Sequence, residues 1–134
     1  MTFSPPSKPC KSEIRNNERE VNTMNPNEYQ TAAMRTSRKD ILPTDHLING
    51  ALGLAGEAGE VADIVKKVMY QGHKMDREHI AKELSDCFWY IAETATAIGY
   101  DLETIMKMNI DKLMKRYPDG FSTERSQNRE EGDI

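Results

Sequence analysis

The chain has little cysteine, no long apolar run and no basic cluster, and each shortage removes a class of protein. Its two cysteines, Cys10 and Cys87, are too few for a disulfide framework and lack metal-binding spacing. Cys87 falls within a helical pattern and reads as a small core residue. No apolar stretch approaches the length that spans a bilayer, and the N-terminus lacks the apolar segment of a secretory signal. A cytoplasmic location with no membrane partner is the expectation. Eighteen basic residues against 22 acidic ones give a formal charge of −4, without a basic run. A nucleic-acid polymer is therefore not an expected partner. Strand-like alternation and solenoid-type repeats are missing as well.

What remains is a helical pattern. The 134 residues suit one domain, and the 37% hydrophobic content allows a modest core. A lone helical hairpin of this composition would leave apolar surface exposed, so association with a second copy is expected. Residues 1–22 hold three prolines, many polar residues and no sustained period, and read as a disordered extension. Met24, where ordered-looking sequence begins, is a candidate alternative start. The folded domain is expected over 23–122 and a loose polar tail over 123–134.

Within 23–122 the periodicity predicts four helices. The first covers about 26–38, with Asn25 as cap, Pro26 in the first turn and Glu28 completing a capping box. Tyr29, Ala32, Ala33 and Thr36 give its inward stripe, and Pro43 then breaks the chain. The second covers about 45–70, capped by Thr44, with Leu47, Ala51, Leu54, Ala58, Val61, Val65 and Val68 at helical steps. The third covers about 77–98, capped by Asp76, with Ile80, Leu84, Cys87, Phe88, Ile91, Ala95 and Ile98 on its apolar side. Asp101 caps the fourth, which ends before Pro118. The expected fold is all-α, a four-helix bundle-type protomer.

Two acidic pairs carry the chemistry. Glu57 and Glu60 lie in GLAGEAGEVAD, and Glu83 and Asp86 lie in AKELSDCFWY. Residues three apart share a helix face. If the two helices form an antiparallel hairpin, the first pair lies about 19 Å from the turn and the second about 13 Å, at about 1.5 Å per residue. Uncertain helix ends cover that difference, so four carboxylates can reach one level. Gly53, Gly56 and Gly59 each cost a helix interior about 0.8–1 kcal/mol relative to alanine. Close helix approach or space for a ligand would offset that cost. Clustered carboxylates resist full ionisation, and a hard cation relieves the repulsion. The donors are all oxygen, which suits Mg²⁺ or Mn²⁺. A di-iron bundle would show Glu-x-x-His pairs, which this chain does not have. His46, His73 and His79 lie outside the acid pairs and read as surface or capping residues. A plain solvated acidic face is the competing reading.

The order Glu-x-x-Glu … Glu-x-x-Asp, with its glycine-rich lead and the later segment NIDKLMKRYPDGF, resembles MazG-like nucleoside triphosphate pyrophosphohydrolases of the all-α NTP pyrophosphatase superfamily. The resemblance covers about 27–121. It implies Mg²⁺-dependent cleavage of a (deoxy)nucleoside triphosphate between the α and β phosphates, giving a monophosphate and pyrophosphate, with a role in nucleotide-pool house-cleaning. It implies Glu57, Glu60, Glu83 and Asp86 as metal-holding, catalytic residues and a homodimer or dimer of dimers as the assembly. A related enzyme restricted to dUTP, dCTP or phosphoribosyl-ATP, and a non-catalytic helical partner-binding module, are the alternatives.

In the same resemblance Asn109, Lys112 and Arg116, with Asp111 and Tyr117 between and beside them, form the phosphate- and sugar-facing part. Asn109, Lys112 and Arg116 share one helical face, which an exposed basic helix end would also show. Lys66 and Lys67 follow the first acid pair and either meet phosphate or form a solvated helix end. Trp89 and Tyr90 either stack on a base or pack in a core or subunit contact. Gln30 either bonds a base or sugar edge or is an exposed helix residue. Glu93 continues the acidic stripe and reads as peripheral.

Overall fold

The computed structural model describes residues 23–129, and the expectations for 1–22 and for 130–134 lie outside them. Helix α1 spans Pro26–Ala33 and runs into a 3-10 turn at Met34–Thr36. Helix α2 spans Pro43–Tyr70, α3 Arg77–Ala97, α4 Leu102–Arg116 and α5 Thr123–Gln127. The fold is all-α, with no strand among the described residues. Part of the polar tail thus forms the short helix α5, which Ser122 caps at the Arg125 N–H.

Local chemistry sets the helix ends. The Asn25 side chain accepts from the Glu28 N–H and the Glu28 carboxylate accepts from the Asn25 N–H, each at 2.9 Å, a full capping box. Asp76 and Asp101 cap α3 and α4 by accepting from the His79 and Thr104 N–H groups. Pro43 opens α2 instead of breaking the chain ahead of it, because proline at the first helical position loses no hydrogen bond. Thr44 is consequently inside the helix, and the Asp45 carboxylate accepts from the Leu42 N–H at 3.2 Å. α3 ends in a left-handed glycine, Gly99 at φ +78°, with the Tyr100 N–H returning to the Ala95 carbonyl. A side chain at that φ would clash, so glycine is required there.

The dominant packing is the antiparallel hairpin of α2 and α3. Its closeness comes from two glycines. A Cβ at Gly50 would overlap the Thr94 hydroxyl, and one at Gly53 would overlap the Tyr90 ring. Those contacts set the register: 50 opposite 94 and 53 opposite 90 place 57 and 60 opposite 86 and 83. By contrast, a Cβ at Gly56 or Gly59 would meet nothing within 4 Å.

Helix α1 lies on α3 and α4, and α4 packs on α1 and α3. Ala92, Ala95 and Leu102 form the buried core, with Tyr29, Ala33, Met34, Ile91 and Ile105 packed against it. Two tethers fix α1. Gln30 donates to Thr96 Oγ1 (2.9 Å) and the Tyr100 carbonyl (3.0 Å) and accepts from the Leu102 N–H (2.8 Å). Trp89 Nε1 donates to Thr36 Oγ1 at 2.8 Å.

The apolar stripes differ in part from the expected ones. On α1, Ala32 is exposed, and Met34 of the following turn takes its place at the core. On α2, Leu54, Val61 and Val68 are half-buried as expected, but Leu47, Ala51, Ala58 and Val65 are exposed. On α3, Leu84 and Phe88 are exposed as well, as is Ile98 just past its end. No large side chain among the described residues is fully buried. Periodicity marks which residues avoid water, not which neighbour covers them.

Candidate metal centre

The close approach of α2 and α3 converts sequence spacing into a cluster. Carboxylate oxygens of Glu57, Glu60 and Glu83 lie within 4.8 Å of one another. Glu57 and Glu60 come from successive positions on one face of α2, and Glu83 comes from α3. Glu83 is nearly buried, Glu57 is half-buried and Glu60 is exposed. Asp86 is exposed and outside this tight trio, but its charge reaches Glu57 from across the hairpin.

Electrostatics record the crowding. Burial, then the charges of Glu60, Asp86 and Glu83, push the Glu57 carboxyl above its ordinary pKa, and a hydrogen bond with Glu83 adds to the shift. Burial and then the Asp86 charge raise the Tyr29 phenol, which places Asp86 beside α1. A cluster that holds a proton above its usual range in the absence of a cation is a fit for one. The oxygen-only donor set, on two rigid helices, fits a hard divalent ion.

His79 lies outside the acid pairs in sequence, yet its Nε2 is 2.8 Å from Glu83 Oε1. The two are four apart on α3, a spacing at which helix side chains meet. That signal was present in the sequence. His46 is likewise no surface residue: its Nδ1 is 3.1 Å from Glu93 Oε1. Glu93 is not peripheral. It is 2% exposed and accepts from Ser37 Oγ at 3.0 Å and Asn49 Nδ2 at 2.6 Å as well. These four residues lock the segment after α1, the start of α2 and the end of α3 together beside a cavity of about 410 Å³. No local pattern links Ser37 and Asn49 to Glu93, so spacing could not have found them.

The remaining sequence candidates are dispersed. Gln30 and Trp89 are committed to the tethers that hold α1. Tyr90 sits edge-on to Trp89, with ring centroids 5.1 Å apart, over Gly53. Lys66 and Lys67 both pair with Asp63, which they hold down at a pKa of about 2. Asn109 and Lys112 are exposed on α4, and Asp111 pairs with Lys107 at 2.6 Å. Arg116 is half-buried at the end of that helix, its guanidinium 6.0 Å from the Tyr117 ring centre.

Fold and site together define an all-α protein with an oxygen-lined acidic cluster on an antiparallel hairpin. No helix among the described residues is long and apolar enough to cross a membrane. The model of the MazG nucleotide pyrophosphohydrolase domain matches residues 48–121, a span that contains Glu57, Glu60, Glu83, Asp86 and the 109–117 segment. The chain belongs to that family. It is also similar to the Gene 37 protein of Mycobacterium phage L5, at 32% identity over 109 residues, which is 75% of this chain and 96% of that protein. No solved structure matches it.

Proposed function

We propose that this protein is a Mg²⁺-dependent pyrophosphohydrolase that converts a (deoxy)nucleoside triphosphate to its monophosphate and pyrophosphate, limiting aberrant or excess nucleotides in the cytoplasm. The observation that carries the reading is the trio of carboxylates from two helices within 4.8 Å, in a chain of this family. Glu57, Glu60, Glu83 and Asp86 would hold the cation. When bound, it supplies charge for the phosphate oxygens and lowers the pKa of a water. A carboxylate of the cluster accepts that water's proton. The water oxygen bonds to the α phosphorus, the bond from that phosphorus to the α–β bridging oxygen breaks, and pyrophosphate leaves. Asn109, Lys112 and Arg116 would face the phosphates and sugar.

The working form is a homodimer or dimer of dimers. Support comes from the exposed apolar surface: Leu52 is 70% exposed, Phe88 57% and Met114 61%, while the buried apolar core among the described residues is three side chains. Neither a nucleic-acid polymer nor a membrane is part of the reading.

The test is a panel of nucleoside and deoxynucleoside triphosphates, with Mg²⁺, with Mn²⁺ or with chelator, followed by separation of products. Monophosphate and pyrophosphate in equal amounts, lost with chelator, are expected. Diphosphate and orthophosphate would overturn the bond assignment.

A further inference from the structure

Glu83 is the most enclosed acid of the trio, and it is held from two sides. Across the hairpin it shares a hydrogen bond with Glu57. Along its own helix, His79 Nε2 lies 2.8 Å from its Oε1. A carboxylate oxygen accepts, so Nε2 carries the proton and donates. His79 is itself fixed at a second point, because its backbone N–H donates to the Asp76 cap at 2.9 Å. A line of contacts thus runs from the cap of α3 through His79 to the enclosed acid. Lys82, next to Glu83 in the chain, is no substitute donor, since its amine is held by Glu78 at 2.9 Å. Of the ion pairs among the described residues, the one with His79 is the one that reaches the trio.

We propose that His79 is a positioning residue for the cation centre, holding the Glu83 carboxylate in the orientation that a divalent ion takes up. The proposal rests on the reading of the trio as a cation site and adds a residue to it. The argument is preorganisation. A glutamate side chain is long and loses rotamer freedom when a ligand fixes it. A donor on the same helix, with a shorter and stiffer side chain, fixes it beforehand. Ligating carboxylates are themselves held by hydrogen bonds of this kind, and losing such a partner weakens metal binding by about 10–100-fold. The competing role for His79 is a contact between residues four apart that only supports the helix. The surroundings of Glu83 favour the first role. Its side chain is 12% exposed, with like charge on one side and the imidazole donor on the other. An enclosed carboxylate placed in that way has little choice of orientation, whereas the 53% exposed His79 side chain does not need the contact for its own burial.

The test titrates Mg²⁺, and separately Mn²⁺, into the full chain by calorimetry at one fixed pH, for the parent, His79→Ala and His79→Gln. Alanine removes the donor and keeps a good helix former. Glutamine keeps a neutral N–H donor on a side chain of similar reach. His79→Ala is expected to bind either cation about 10–100-fold more weakly, and His79→Gln to stay near the parent. The cation-free melting temperatures of all three should agree. Hydrolysis followed against Mg²⁺ concentration gives a second readout. His79→Ala should need about 10–100-fold more cation for its half-maximal rate and approach the parent kcat at saturation. Equal or tighter cation binding by His79→Ala overturns the proposal, and so does a His79→Gln variant as weak as His79→Ala. A lower cation-free melting temperature in His79→Ala with unchanged affinity assigns His79 to helix support and overturns it too. A parent that binds neither cation sinks the centre itself. A parent that binds, with variants that bind alike, sinks only the role of His79.

Discussion

Glu93 and Glu57 are carboxylates on the two helices of one hairpin, and their surroundings could hardly differ more. Glu93 is buried with three side-chain hydrogen-bond partners, from Ser37, His46 and Asn49. Glu57 is half-buried among three other acids, and it holds its proton above the usual range. A buried carboxylate is tolerable when its lone pairs are filled. A crowded one is tolerable when a proton or a cation neutralises it. The first arrangement builds a joint; the second leaves an unmet need for positive charge. Two carboxyl groups of the same kind thus close a joint in one place and are left crowded by like charge in the other.

Mutations can break or sharpen that contrast. The largest effect is expected at the crowded end. Glu60→Gln should lower hydrolysis by about 10²–10³-fold, the range for losing a group that stabilises transition-state charge. Its melting temperature should stay near that of the parent, read by calorimetry. At the satisfied end, Glu93→Ala should leave three donors without their acceptor and cost about 1–3 kcal/mol of stability, with cation affinity measured by titration calorimetry little changed. If Glu93→Ala removed cation binding as completely as Glu60→Gln, the division between joint and site would fail.

Between the two ends, Gly53→Val should force the Tyr90 ring away and cost about 1–3 kcal/mol by overpacking. Since 53 sets the register opposite 90, activity should fall with stability there. Gln30→Ala removes one of the two tethers of α1 and should cost about 1 kcal/mol, seen in chemical denaturation.

The smallest effect concerns pH. The folded Glu57 carboxyl has a raised pKa, so between its unfolded and folded values the native state binds more protons than the unfolded state. The cation-free protein should therefore lose stability as pH rises through that window. Glu57→Gln should flatten the dependence and raise the melting temperature of the cation-free protein, while abolishing cation binding. In the parent protein, cation affinity should weaken as pH falls and Glu57 takes its proton, read as proton release on binding. Identical pH profiles for parent and variant would remove the crowding argument.

How much of this was readable from residues alone depends on distance along the chain. The capping box of Asn25 and Glu28, the caps Asp76 and Asp101 and the stop at Gly99 are interactions within a few residues, and they were legible as such. The acid pairs were legible because a helix fixes which residues share a face. The pairing of His79 with Glu83 is equally local, a four-residue step along one helix.

Pro43 begins α2, because a residue that cannot continue one helix is well suited to open the next. The α2 stripe departs from its spacing for a different reason. Leu47, Ala51 and Val65 are apolar at helical spacing, but the neighbour that α2 meets inside the protomer is on another side, chosen by the glycines at 50 and 53.

The sequence by itself determined an all-α chain, its helix ends and the placement of two acidic pairs on helix faces, because caps, glycines and a 3.6-residue period act between near neighbours. Only the tertiary structure decided that Glu83 joins Glu57 and Glu60, that Asp86 stands somewhat apart, and that Glu93 is a buried joint. Those facts depend on how far two helices approach and rotate about each other. That is fixed by packing between residues about 26–56 positions apart, such as Gly53 with Tyr90, Glu57 with Glu83 and Ser37 with Glu93, across which no local periodicity reaches.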